Sequence, residues 1–123
     1  VSTRPSRERY AEGFFLDRGT LQWFFERYLP DGNTEDWRVS PMRAERLAGL
    51  PPTLLVGAEF DPLVDDCVAF AERMKAEGCT VDYVEMPGVI HGFLTLGKVF
   101  PESAQTLVLL ARHLQTCLAL PPA

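Results

Sequence analysis

The stretch from residue 53 to residue 118 constrains this chain most. An apolar run, a helical pattern, a second strand-like run and a second helical pattern follow one another there with short breaks. Thr53-Leu54-Leu55-Val56-Gly57 comes directly after Pro51-Pro52 and is apolar without alternation, the pattern of a strand buried on both faces of a parallel sheet. A loop, Ala58-Glu59-Phe60-Asp61-Pro62, leads into a helix predicted from Leu63 to Glu77, with Val64, Cys67, Val68, Ala71 and Met74 on its buried face. Asp65 and Asp66 fall in its first turn, where carboxylates favour the helix dipole, and Gly78 supplies the stop. Thr80–Met86 is rich in β-branched and aromatic residues and reads as a second strand, with Asp82 and Glu85 placing it near a sheet edge. The loop Pro87–Phe93 follows. A last helix is predicted over Pro101–Leu118, with Ala104, Leu107, Val108, Ala111, Leu114 and Leu118 as its apolar stripe.

Strand, helix, strand at this spacing is a crossover unit, which is right-handed with parallel strands in nearly all proteins. The loops after the two strands then lie at one end of the sheet, the carboxyl end where open α/β sheets bind ligands. Asp61 lies in the first loop and His91 in the second, and their separation, 91 − 61 = 30 residues, suits one crossover helix. Neighbouring strands are about 4.8 Å apart, so the two side chains can meet. Taken singly, each has a plain reading: Asp before Pro at a helix start is a common cap, and a lone loop histidine is usually polar surface. Taken together they match an acid that fixes an imidazole tautomer and stabilises the imidazolium, leaving the other ring nitrogen free to deprotonate a hydroxyl. The order acid, then histidine, is the one that follows an upstream serine in α/β-hydrolases. His113 lies off the apolar stripe of the last helix and reads as solvated surface.

Residues 1–52 read as a helical connecting segment and 53–123 as the strand–helix–strand–helix unit. The first ten residues are polar and read as loop. Asp17 is a candidate cap for a helix reaching Tyr28, with Leu21, Phe24, Phe25 and Tyr28 at i, i+3, i+4 and i+7 and Trp23 at the edge. Pro30-Asp31-Gly32-Asn33 ends it, and Ser40-Pro41 opens a short helical turn predicted to reach Leu47.

Composition removes several function classes. The net charge of −5 and the lack of a Lys/Arg stripe argue against nucleic acid and against an anionic membrane surface. No apolar stretch is long enough to span a bilayer, and the opening residues lack the apolar core of a signal peptide, in keeping with a cytoplasmic location. Cys67, Cys79 and Cys117 are odd in number and contain no Cys-x-x-Cys pair, which argues for free thiols over a disulfide framework or zinc site.

The segments Ser40-Pro41-Met42-Arg43-Ala44, Leu50 to Leu63 and Pro87-Gly88-Val89-Ile90-His91-Gly92-Phe93, with the helix carrying Trp23, Phe24, Phe25 and Tyr28, resemble the hormone-sensitive-lipase-like carboxylesterases of the α/β-hydrolase fold. The resemblance runs from Tyr10 to Leu118. It implies that Asp61 and His91 are the acid and base of a catalytic triad, and that the two strands are the last two of a mostly parallel eight-stranded sheet. It also implies hydrolysis of small carboxylic esters of short to medium acyl chain, without cofactor or metal. Homodimerisation through Thr80–Met86 and the helix from Pro101 is a further implication, and Phe93 either lines an acyl pocket or packs under its loop.

The pattern is incomplete. None of Ser2, Ser6, Ser40 and Ser103 sits in Gly-x-Ser-x-Gly, and no His-Gly-Gly oxyanion motif occurs, since His91-Gly92 is followed by Phe93. The expectation is therefore a C-terminal piece of a single α/β-hydrolase domain, inactive alone, which needs an N-terminal portion to supply the nucleophile and oxyanion hole. Two rivals remain: a non-catalytic small-molecule-binding protein on the same scaffold, as in plant gibberellin receptors, and a free-standing module that pairs its open strand with another chain.

Overall fold

A computed structural model describes residues 3–119. Its elements are α1 (Pro5–Arg9), α2 (Arg18–Tyr28), β1 (Thr53–Phe60), α3 (Val64–Ala76), β2 (Val81–Ile90) and α4 (Glu102–Leu118), with 3₁₀ turns at Pro41–Arg43 and Phe93–Thr95. β1 and β2 pair in parallel, Thr53 against Val81 through Ala58 against Met86, as the crossover pattern requires. Both strands outrun their predicted ends. β1 continues through Glu59 and Phe60, and β2 through Pro87 and Gly88 to Ile90, because a bulge absorbs the Pro-Gly pair that read as the start of a loop.

Alternation along the strands divides the core. Leu55, Val81 and Tyr83 face α3, where they pack with Leu47, Phe70, Ala71, Met74 and Cys79. Val56, Ala58, Val84 and Met86 face the other way and pack with Val89, Phe93 and Phe100. Of the predicted α3 face, Val64, Ala71 and Met74 are buried, and Cys67 and Val68 are half-buried. The connecting segment is fastened to α3 by polar contacts: Arg73 donates to the carbonyls of Met42 and Ala44, and the Glu77 carboxylate accepts from the backbone N–H groups of Leu47 and Ala48. The Pro41 turn ends at Arg43, short of Leu47.

Two sequence expectations fail, for the first residues and for His113, and two apolar helix faces stay uncovered. Residues 5–9 form a helix instead of a loop, opened by Pro5 at its first turn. Its buried Ser6 donates from Oγ to the Pro62 carbonyl (2.9 Å) and from N to the Asp65 carboxylate (2.8 Å), and Arg4 and Arg7 pair with Asp66. The apolar face of α2 is not buried: Leu21 and Phe25 line an open cleft of about 810 Å³ against α1, and Phe24 and Tyr28 are exposed. Asp17 does cap that helix, accepting from Thr20 N at 2.7 Å, and this bond holds its carboxyl below the usual range. The stripe of α4 also faces outward, Leu107, Val108, Leu114 and Leu118 being 50–62% exposed. The buried side instead carries Ser103 and Thr106, and His113, expected in solvent, is half-buried with Nε2 3.4 Å from the Pro52 carbonyl.

Met74, 1% exposed, is the most enclosed side chain between α3 and the sheet. Met74→Ala is expected to lower the free energy of unfolding by about 2–5 kcal/mol, read as a reduced urea midpoint. A change below about 0.5 kcal/mol, typical of surface substitutions, would show that the α3 face is not what holds the unit.

Candidate functional site

Phe60 is paired with Ile90 as the last residue of its strand, so Asp61 and His91 leave the sheet at the same level. The His91 ring nitrogen Nδ1 is 2.8 Å from Asp61 Oδ2. Asp61 is buried, and its second oxygen, Oδ1, accepts the Leu63 N–H at 2.8 Å. The plain reading of Asp61 as the helix cap does not hold, since Leu63 occupies that position without a side-chain cap bond; one oxygen of Asp61 instead closes the turn ahead of α3, and the other holds the imidazole. The acceptor on Nδ1 makes Nδ1–H, Nε2-lone-pair the favoured neutral tautomer. Among the described residues Nε2 has no hydrogen-bond partner, and the side chain is 39% exposed.

The hydrogen bond to Asp61 raises the His91 pKa above its ordinary 6.5, against the lowering effect of burial. The pair opens on a small cleft of about 200 Å³ walled by Val56, Ala58, Phe93, Thr106 and Leu110. Phe93 packs under its loop, 6% exposed, in the cluster with Ala58, Met86 and Val89, while one side of it lines this cleft. Thr106 is 1% exposed, and its hydroxyl has no partner among the described residues. Gly92 adopts φ +76°, a left-handed conformation that turns the chain sharply after His91.

Several contributors to this geometry were not singled out in the sequence. α1 clamps Pro62 and Asp65, the residues that follow the acid. Phe14 stacks on Phe60 (centroids 5.5 Å apart) with Tyr10 edge-on to both, beside the acid, and Phe15 lies against Gly92, beside the histidine. The available signal was Arg4 and Arg7, spaced i, i+3, complementing Asp65-Asp66. The aromatic contacts are tertiary and leave no local pattern.

Other chemistry is sparse. Among the described residues no group of three His, Cys, Asp or Glu could hold a metal ion, and no helix is long and apolar enough to cross a membrane. The three cysteines are free, and burial, with the carboxylates of Asp61 and Asp66, pushes the Cys67 thiol up.

Comparison with known proteins places this arrangement. Residues 1–95 match the family of the α/β hydrolase fold. The chain is 35% identical over 113 residues to the ethyl acetate hydrolase of Pseudomonas putida, covering 91% of this chain and 36% of that protein. It is 39% identical over 97 residues to the carboxylic ester hydrolase LipN of Mycobacterium tuberculosis, covering 77% and 26%. Among solved structures it superposes on EstE1, a thermostable carboxylesterase cloned from a metagenomic library, with TM-score 0.86 and 33% identity over 97% of this chain and 40% of that one. An ester-hydrolase from the Lake Arreo metagenome, solved with a bipyridine phosphonate derivative, gives TM-score 0.79 and 39% identity over 85% and 34%. The chain thus spans about a third of the length of the relatives it matches, and its two parallel strands and helices are consistent with a C-terminal part of their fold. By sequence and by fold it belongs to the α/β-hydrolase family, among the hormone-sensitive-lipase-like carboxylesterases.

Proposed function

We propose that the full-length protein is a carboxylic-ester hydrolase and that this chain supplies the acid, Asp61, and the base, His91, of its triad. One observation carries the reading: Nδ1 of His91 is held at 2.8 Å by a buried carboxylate while Nε2 stays open at the carboxyl end of the sheet. In the proposed reaction a serine from the rest of the protein attacks the ester carbonyl. His91 Nε2 takes the hydroxyl proton and passes it to the departing alkoxide, leaving an acyl-serine. Water then attacks the acyl group, with His91 again taking and returning the proton. Asp61 stays ionised throughout and stabilises the imidazolium. Residues 1–52 serve as the connecting segment and 53–123 as the strand–helix–strand–helix unit that carries Asp61 and His91. The likeness to relatives that hydrolyse ethyl acetate and other carboxylic esters supports a small ester as substrate.

The chain alone has no serine in a nucleophile-elbow setting and is expected to be inactive, because losing the nucleophile costs about a million-fold in turnover in a comparable triad. With p-nitrophenyl acetate, hydrolysis is expected from the full-length protein only. Asp61→Asn should lower kcat about ten-thousand-fold, and His91→Ala about a million-fold. A loss below tenfold for either would remove that residue from the mechanism. Silence from the folded full-length protein that still binds the ester would favour the non-catalytic binding reading.

The base must be neutral, so the acid limb of kcat/KM, which reports the free enzyme, is expected above the ordinary 6.5 of histidine. Asp61→Asn should lower the imidazole titration seen by NMR. Stability follows the same sign: a raised folded-state pKa means that the His91–Asp61 pair contributes fully below 6.5, and that this contribution fades as pH rises through the folded pKa. An acid limb below 6.5 in the wild type would contradict the charge-stabilising role of Asp61.

A further inference from the structure

The pairing of the two strands changes register just before the site. From Thr53 against Val81 to Ala58 against Met86 the offset is 86 − 58 = 28, but Phe60 pairs with Ile90, an offset of 90 − 60 = 30. One residue of β1, Glu59, therefore stands opposite three of β2, Pro87, Gly88 and Val89. Had the earlier offset continued, Asp61 would stand level with Val89, since 61 + 28 = 89, and His91 would lie two residues further along its strand. At about 3.3 Å per residue that is a displacement of about 6.6 Å, far beyond what a 2.8 Å hydrogen bond tolerates.

The two-residue insertion is thus what brings the histidine level with the acid, and its residues have no partner in the register. Pro87 has no N–H to give, and Gly88 takes φ +74°, a conformation open to glycine. Val89 anchors the bulge from inside, fully buried against Ala58, Met86 and Phe93. From outside, the orphaned Gly88 N–H donates to the Glu59 carboxylate at 2.7 Å, a charge-assisted bond from the one residue that faces the bulge.

We infer that Glu59 is a positioning residue, whose carboxylate fixes the Pro87–Val89 bulge and through it sets the height of His91 relative to Asp61. This rests on the esterase reading for its consequence in turnover, but not for its consequence in geometry. Among the described residues Asp61 is the charged group that acts on the imidazole, so the titration of His91 reports directly on whether the pair is held.

The test uses the full-length protein with Glu59→Ala and Glu59→Gln, the second keeping an acceptor oxygen. Three quantities are read: the His91 pKa by NMR, the pH profile of kcat/KM for p-nitrophenyl acetate, and the melting temperature. Glu59→Ala is expected to lower the His91 pKa towards 6.5 and to shift the acid limb with it. It should also cut kcat by about 10- to 100-fold, as for a misplaced catalytic group, with little change in KM. Glu59→Gln should recover most of the loss. A fall in melting temperature with the His91 pKa and pH profile unmoved would overturn the inference and leave Glu59 a merely structural residue, as would equal effects of Ala and Gln. If the wild type hydrolyses no ester but Glu59→Ala still lowers the His91 pKa, the positioning role stands and the esterase reading fails.

Discussion

Parallel pairing of β1 with β2 is the constraint on which the rest of the arrangement depends. A parallel neighbour can be reached only by a crossover, so α3 must run back along the sheet before β2 begins. That return journey places the ends of both strands on one side, and Phe60 and Ile90 finish as partners. Asp61 and His91 are the next residue of each strand. Thirty residues of chain separate them, yet one hydrogen bond joins them, and the sheet has already fixed the distance between their backbones. What remains to be set is height along the strand, and this the bulge at Pro87–Val89 adjusts.

The Asp61 carboxylate shows how an acid can be held rigidly without a dedicated scaffold. Its Oδ1 is tied to the Leu63 N–H, a bond within the same turn. Its Oδ2 can then meet the imidazole without the side chain having to choose between rotamers. The turn is held in its place by α1, through the Ser6 hydroxyl on the Pro62 carbonyl and the Asp65 carboxylate on Ser6 N. Burial of Asp61 removes competing water, which strengthens its pull on the histidine proton. Closing the turn and holding the imidazole are two uses of one carboxylate, so residue type alone could not tell what Asp61 does.

Much of this was legible in the sequence because the informative signals were local. The apolar run at 53–57, the α3 face and the helix stop at Gly78 are set by periodicity and backbone preference, and β1, α3 and β2 formed where those signals lie. The meeting of Asp61 and His91 could be anticipated because a crossover forces strand ends together, a rule of topology that needs no side-chain detail. The ends of the strands were misread because Pro87-Gly88 is punctuation in most chains and here is absorbed into a bulge. α1 was missed for a related reason: five residues carry too little periodicity to register, and the helix is held by ion pairs from Arg4 and Arg7 to Asp66, 62 and 59 positions away. Glu59 gave no signal at all, since its importance lies in a register change that only the paired strands display.

The two amphipathic helices carry the same lesson from the opposite side. Leu107, Val108, Leu114 and Leu118 recur with the period of one helical face, and Phe24 and Tyr28 do so on α2, yet all six are exposed. Periodicity reports that a face is built to be covered, but not by what. Complete burial of such a side chain contributes about 1.5–3 kcal/mol, so these helices hold a large share of their stabilising surface in reserve. β1 likewise pairs on one side only among the described residues, and an apolar strand with an open edge is an invitation to further pairing. In the proposed full-length esterase, the strand that fills this edge would lie beside the one that delivers Asp61. The covering of the reserved surface would then be the event that brings the nucleophile to a base which the two strands already hold against Asp61.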